Sequence, residues 1–241
     1  MRNFLCPLCF LMAGILPLFG QSDSPEKNRE SAGRTAWFAC LAIPEGLENP
    51  AKILAGDKIT ELELSPFMAS AAVKIPADGI LRIVRVVSDP ADPKKTKYII
   101  LAEAKIPETV DEALIILGPL PQPKSDLLFQ AKVQDLANFK GGDRLFINLS
   151  DTEIGVKIGD TAVAVPVKKA AIYASPKLAN PANMPIVYRF YHPEQKKWKL
   201  LTASTVVITP TRREICVFSN GSRIGKIKKH GILFPVQNEA P

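Results

Sequence analysis

Histidine and cysteine are scarce in this chain, two and four in 241 residues, and two of the cysteines fall within the first 22 positions. That scarcity removes most of the side chains that build metal centres. Neither His192 nor His230 has a second ligand at zinc-site spacing, and both read as surface histidines. Nucleophile motifs are missing too: there is no G-x-S-x-G. The single Ser-x-x-Lys, Ser24 to Lys27, lies in a polar stretch with no scaffold to hold a nucleophile against its base. "GSRIGKI" at 221–227 resembles a phosphate loop only superficially, with three residues between its glycines and Ile227 after the lysine. The acidic pairs Glu61/Glu63 and Asp89/Asp92 lack the flanking pattern of a calcium loop. No cofactor or metal site is expected. No window carries a helical apolar stripe bounded by caps, and no apolar run beyond the first 22 residues approaches the length of a membrane span, about 20 residues.

What is present begins with "MRNFLCPLCFLMAGILPLFGQS". One positive charge at Arg2, an uncharged apolar run from Phe4 to Phe19, and the small residues Gly20 and Ser22 form the layout of a secretory signal peptide, 1–22, cleaved before Asp23. The C-x-x-C of Cys6 and Cys9 then has no redox role, because nothing after it supplies the helix N-terminus that lowers a thiol pKa. Export to the periplasm or beyond is the expectation. Cys40 and Cys216 remain, each in an apolar strand-like run. An exported protein could pair them, or each could serve as a small buried hydrophobe.

Twenty-one prolines argue against a helical protein and suit turns and strand edges. After a polar leader, 23–34, short Ile/Val/Leu/Tyr runs alternate with turn signals. They predict an all-β chain of two tandem immunoglobulin-like antiparallel β-sandwich domains, 35–119 and 125–235. The proline-rich 120–124, within "GPLPQPK", is read as the linker. Asn220-Gly221 predicts a tight type I′ hairpin. "AEAKIPETVDEALIIL" and "STVVITPTRREICVF" share a strand, proline-bearing turn and strand layout, which suggests an internal repeat.

Charge is uneven. Tyr188 to His230 holds ten Lys and Arg against Glu194 and Glu214, whereas the rest of 23–241 holds 20 positive and 22 negative residues. Such asymmetry can mark an anionic partner, or a solvated face on which lysine discourages edge pairing. The candidate binding residues are Lys196, Lys197, Trp198, Lys199, Arg212, Arg213, Arg223, Lys226, Lys228 and Lys229, expected on one surface if binding is electrostatic. Aromatics interleave with them. Tyr188 and Phe190, two apart, suit the core; Trp198 in "KKWK" could be core or platform.

"RLFINLSDTEIGVKIGD", followed by "MPIVYRFYH", "WKLLTASTVVI" and "RREICVFSN", resembles a pattern in exported bacterial β-sandwich (immunoglobulin-like) proteins of unknown function, over residues 144–230. The resemblance implies fold and export and transfers no catalytic residue. In outline the chain is also similar to periplasmic pilus chaperones, but it lacks their strand before the domain junction, and no Arg and Lys match their subunit-anchoring pair. The expected function is non-catalytic: an interaction or structural protein of the cell envelope that binds another protein or an anionic envelope polymer, not nucleic acid. The competing expectations are an assembly chaperone and an enzyme acting on an envelope glycan, which would need two converging carboxylates.

Overall fold

A computed structural model describes residues 33–89, 95–120, 125–223 and 225–234. The expected signal peptide 1–22, the leader up to residue 32, and residue 235 lie outside the described residues. The chain is all-β. Among the described residues there is no helix, and sixteen strands form four four-stranded sheets.

The first eight strands are β1 (Thr35–Cys40), β2 (Ala51–Ala55), β3 (Lys58–Leu62), β4 (Val73–Lys74), β5 (Ile80–Ser88), β6 (Thr96–Lys105), β7 (Glu112–Pro119) and β8 (Phe129–Asp135). The second eight are β9 (Arg144–Asn148), β10 (Ile154–Ile158), β11 (Thr161–Val165), β12 (Ala170–Tyr173), β13 (Ala182–His192), β14 (Lys197–Ile208), β15 (Arg213–Asn220) and β16 (Ile227–Phe234). Sheet orders are β4-β1-β7-β8 and β3-β2-β5-β6 in the first half, β12-β9-β15-β16 and β11-β10-β13-β14 in the second. Adding eight to each strand number of one half gives the other. Both halves also pair their first and seventh strands in parallel, β1 with β7 and β9 with β15. The repeat suggested by "AEAKIP…ALIIL" and "STVVIT…EICVF" therefore coincides with β6–β7 and β14–β15.

Three apolar layers hold the sheets together. Phe38, Ile53, Leu81 and Ile115 fill the first, between the two sheets of the first half. Trp37, Leu114, Ile147, Val217 and Phe234 fill the second, where β1 and β7 face β9, β15 and β16. Phe146, Tyr188, Phe190 and Phe218 fill the third, within the second half. Two sandwiches are thus packed back to back, and the central strands of the middle sheets are covered on both faces. This explains why β1, β7, β9 and β15 read as near-continuous apolar runs instead of alternating ones.

The proline-rich stretch does not separate the halves. β7 and β8, on either side of it, are antiparallel partners in one sheet, Pro119 opposite Phe129. The strand beginning at Phe129 accordingly belongs with the first half, and the seam falls after Asp135. Residues 121–124 lie outside the described residues. The Asn220-Gly221 hairpin exists, but its loop spans Gly221–Lys226, closed by Gly221 N–H donating to Lys226 O at 2.7 Å. Among the described residues of the loop Gly225 is left-handed, φ +71°.

Where β9 leaves the middle sheet for the outer one, Asn148, Ser150 and Thr152 are all buried. Asn148 Nδ2 donates to Thr152 O and Val165 O at 2.8 and 2.9 Å, and its Oδ1 accepts from Ser150 N–H and Oγ–H. A buried amide with its donors and acceptor matched is stabilising, whereas an unmatched one would be costly. The polar triplet ending an apolar strand is therefore the lock that carries the chain from one sheet to the next.

Candidate functional site

The ten candidate residues do not share one surface. Lys196 sits at a positive φ of 46° in the β13–β14 turn, and Lys197 opens β14 opposite His192. Arg223 and Lys226 lie in the β15–β16 loop, which reaches the same end: a Cβ added at Gly225 would stand 2.7 Å from His192 Nε2. These four lysines and arginines form one basic end of the second sandwich. Arg212 and Arg213 follow the other end of β14, twelve residues away and on the order of 35 Å along the strand. Lys228 and Lys229 are adjacent on β16, so their side chains leave opposite faces; Lys229 Nζ is 4.8 Å above the Tyr188 ring. Lys199 is half-buried opposite Phe190.

Arg213 is not available to a partner. It is 7% exposed, its guanidinium lying 4.1 Å from the Phe234 ring centroid and 5.5 Å from that of Phe139. Nη1 donates to Phe139 O at 3.2 Å, while Nη2 is buried without a partner. Burial lowers its pKa from the ordinary arginine value. The reason is parity. Arg213 points to the same face as Ile215 and Val217, which is the layer between the two sandwiches.

Both histidines also depart from the surface expectation. His192 is buried, with its Nδ1 accepting from Gln195 N–H, and it fills the space between the two basic turns. His230 is half-buried, contacts Pro66 O through Nε2 and stacks on Phe67. Cys40 and Cys216 are free and belong to the first and third apolar layers, with the second between them, so they cannot pair. Burial pushes the Cys40 thiol up to about 11 and the Cys216 thiol up to about 12.

Trp198 is the candidate that the fold brings to a surface with chemistry. On β14, opposite Tyr191, it points away from the core and is 45% exposed. Its six-membered ring reaches across β13 to β10, where a Cβ on Gly155 would stand 3.3 Å from Cζ3. Glycine at 155 is what lets the indole lie down on the sheet. Tyr191 supports it edge-on, ring centroids 5.8 Å apart and planes at 72°.

Beside the indole the outer sheet forms a shallow concavity of about 620 Å³. Its floor is small or apolar: Gly155, Ala162, Ala164 and Val187. Its charged margin is Arg189, Lys157 and Glu153. Arg189 is exposed and opposite Leu200, and sequence reasoning had passed over it. Among the described lining residues Glu153 is the one carboxylate, so the groove offers a platform with cations and no pair of acids. Among the described residues no cluster of three His, Cys, Asp or Glu side chains is arranged to hold a metal.

No protein-family model matches this chain, and no curated protein sequence matches it.

Proposed function

We propose that this protein is a non-catalytic binding protein of the cell envelope and that it holds an anionic envelope polymer across the outer sheet β11-β10-β13-β14. The observation that carries the reading is the Trp198 indole, laid over Gly155 with nearly half the residue open to solvent. An indole face takes the apolar side of a sugar ring, and burying it contributes on the scale of an aromatic contact, about 0.5–1.5 kcal/mol beyond area. Arg189 and Lys157 border that face, and Lys196, Lys197, Arg223 and Lys226 extend positive charge past its end. Their spacing suits a chain bearing repeated carboxylates or phosphates better than a single small ligand. The signal-peptide layout of residues 1–22 supports the compartment.

The test uses polygalacturonate as the anionic probe and dextran as the neutral one. Binding is measured by calorimetry, which reads every variant alike; Trp37, the other of the two tryptophans, is buried at 4% exposure, so a fluorescence change in wild type also reports Trp198. Polygalacturonate should bind at 0.1 M salt and weaken strongly at 1 M, as the Debye length falls from about 10 to about 3 Å. Trp198→Ala should lose about tenfold in affinity and Arg189→Ala several-fold, with Arg212→Ala unchanged. Equal binding by wild type and Trp198→Ala, or binding indifferent to salt, refutes the reading.

A further inference from the structure

The four-stranded outer sheet of the second half ends in β14, a twelve-residue strand with one hydrogen-bonded neighbour, β13. Folded proteins protect such an edge with charges, prolines, bulges or a covering segment. β14 carries Lys197 and Lys199 at its start and a bulge near Leu201, where the register against β13 shifts. From Leu200 to Ile208 the sequence is LLTASTVVI, with no charge and no proline. Ala203, Ser204 and Thr205 are exposed, Leu200 is 61% and Val207 51% exposed, and among the described residues none donates to or accepts from its outer edge in a ladder.

The internal repeat supplies the comparison. β6 occupies the same edge position in the first half. It has Lys97, Glu103 and Lys105 along its length, Glu103 in an ion pair with Arg82 at 2.7 Å, and segment 125–128 lies against it, with Leu128 N–H donating to Leu101 O at 2.8 Å. One edge is charged along its length and covered by backbone; its counterpart carries no charge from Leu200 to Ile208 and is met there only by a long side-chain bond, Arg144 Nη2 donating to Val207 O at 3.5 Å.

We infer that β14 is a dimerisation edge, pairing antiparallel with β14 of a second copy of this chain about a two-fold axis at Ser204, so that two four-stranded sheets become one of eight strands. The occupant is a second copy because the strand complements itself. With the axis at Ser204, and with the bulge letting Leu200 and Leu201 together face one partner residue, Leu200 lies opposite Val207 and Ala203 opposite Thr205 on the outer face. Thr202 then lies opposite Val206 on the inner face. No like charges oppose each other along the run, and the two most exposed apolar side chains of the strand cover each other. Such an isologous contact closes on itself and leaves no edge for further growth. It also places two Trp198 platforms on one continuous sheet face.

The test is sedimentation equilibrium on the purified chain from 1 to 300 µM. Wild type should show a concentration-dependent species of twice the chain mass. Thr205→Lys puts a charge on the axis-proximal outer face and should weaken dimerisation at least tenfold. Ala162→Lys, on the same outer face but on the far strand β11, should leave it unchanged. Ser204→Cys should form a covalent dimer on mild oxidation, since residues at the axis face their own copies. A wild type monomeric across the whole range overturns the proposal, as does a dimer that persists unchanged in folded Thr205→Lys or is lost in folded Ala162→Lys. Should Thr205→Lys fail to fold, Ser204→Cys decides alone: no covalent dimer overturns it.

Discussion

Replacing Arg213 in two ways separates a structural arginine from a ligand-binding one. Its guanidinium lies between Phe139 and Phe234 in the layer joining the two sandwiches, donates one hydrogen bond to Phe139 O, and buries Nη2 with nothing to receive it. Arg213→Ala removes the stem that fills this space and the cation over two rings. Cation–π contacts out of water contribute about 2 kcal/mol, a hydrogen bond from a charged donor about 1.5–3, and an unfilled core cavity costs about 2 or more. Relief of the orphaned Nη2 and of the buried charge offsets about 1–3 kcal/mol, which leaves a net loss of about 2.5–6. Arg213→Met keeps the stem volume while removing both the charge and the orphaned donor. Buried charges replaced by apolar groups of similar size are often neutral or stabilising, so this variant should stay within about 1 kcal/mol of wild type. Urea unfolding with an unchanged slope is the measurement. Equal loss in both variants would show that the guanidinium's own bonds dominate. Full stability in Arg213→Ala with weakened polygalacturonate binding would return Arg213 to the binding surface.

The buried thiols give a chemical and a pH prediction. At pH 8 Cys40 and Cys216 should resist a disulfide reagent in the native protein and react fully in guanidinium; rapid native reaction would contradict their burial. Their folded pKa values are raised from 9.0 to about 11 and about 12. Stability from these groups is therefore complete below about pH 9 and falls as pH rises toward 11–12, at about 1.4 kcal/mol per pH unit for each thiol. A Cys216→Ala variant should show a shallower alkaline decline. Gly79→Ala should be among the most damaging turn changes, since Gly79 is buried, has φ +70°, and an added Cβ would stand 2.5 Å from the backbone oxygen of Ile106. A loss of about 2 kcal/mol or more is expected from the conformation alone plus the clash, and a loss below about 0.5 in thermal or urea unfolding would contradict it.

How much of this was legible depends on whether one strand or two had to be known. Parity along one strand suffices for several points. Lys228 and Lys229 are neighbours, so period two already sends them to opposite faces, and Arg213 is in step with Ile215 and Val217. The uninterrupted runs "WFAC", "ALIIL" and "RLFIN" carried the signal of burial on both faces, but nothing local says which sheet covers the second face. The prolines from Pro119 to Pro123 mark a place where the chain cannot continue a ladder. Whether the next strand returns to the same sheet is a long-range matter, and here it does. Asn220-Gly221 marked a hairpin correctly and its loop length incorrectly, because the loop is shaped by Gly225 packing against His192, a contact with no trace in the turn dipeptide. Trp198 was ambiguous for the same reason. Its platform exists because Gly155, on a strand two places away in the sheet, lacks a side chain, and the pairing that brings them together is set by β13 between them.

The stacking order also confines where binding can occur. The central strands of the two middle sheets are covered by apolar layers on both sides, so the outer sheets, the sheet edges and the end loops are what can meet a partner. On the outer sheet of the first half Arg82 pairs with Glu103 at 2.7 Å and Lys52 approaches Glu48 at 3.7 Å. On that of the second half Lys157 approaches Asp160 only at 4.0 Å, with both side chains largely exposed, and Arg189 lies in no ion pair among the described residues. Exposed pairs contribute little, typically under about 1 kcal/mol, so an arriving carboxylate or phosphate displaces almost nothing at Lys157 and nothing at Arg189. The duplicated topology thus supplies two equivalent faces, of which the one bearing Trp198 sets an arginine outside any ion pair beside an aromatic platform. Exchanging the charge state tests this directly: Arg189→Glu should abolish polygalacturonate binding while leaving the unfolding midpoint within about 0.5 kcal/mol, the range of ordinary exposed substitutions. An equal loss of binding from Arg82→Glu on the other face would show that both faces, or neither, form the site.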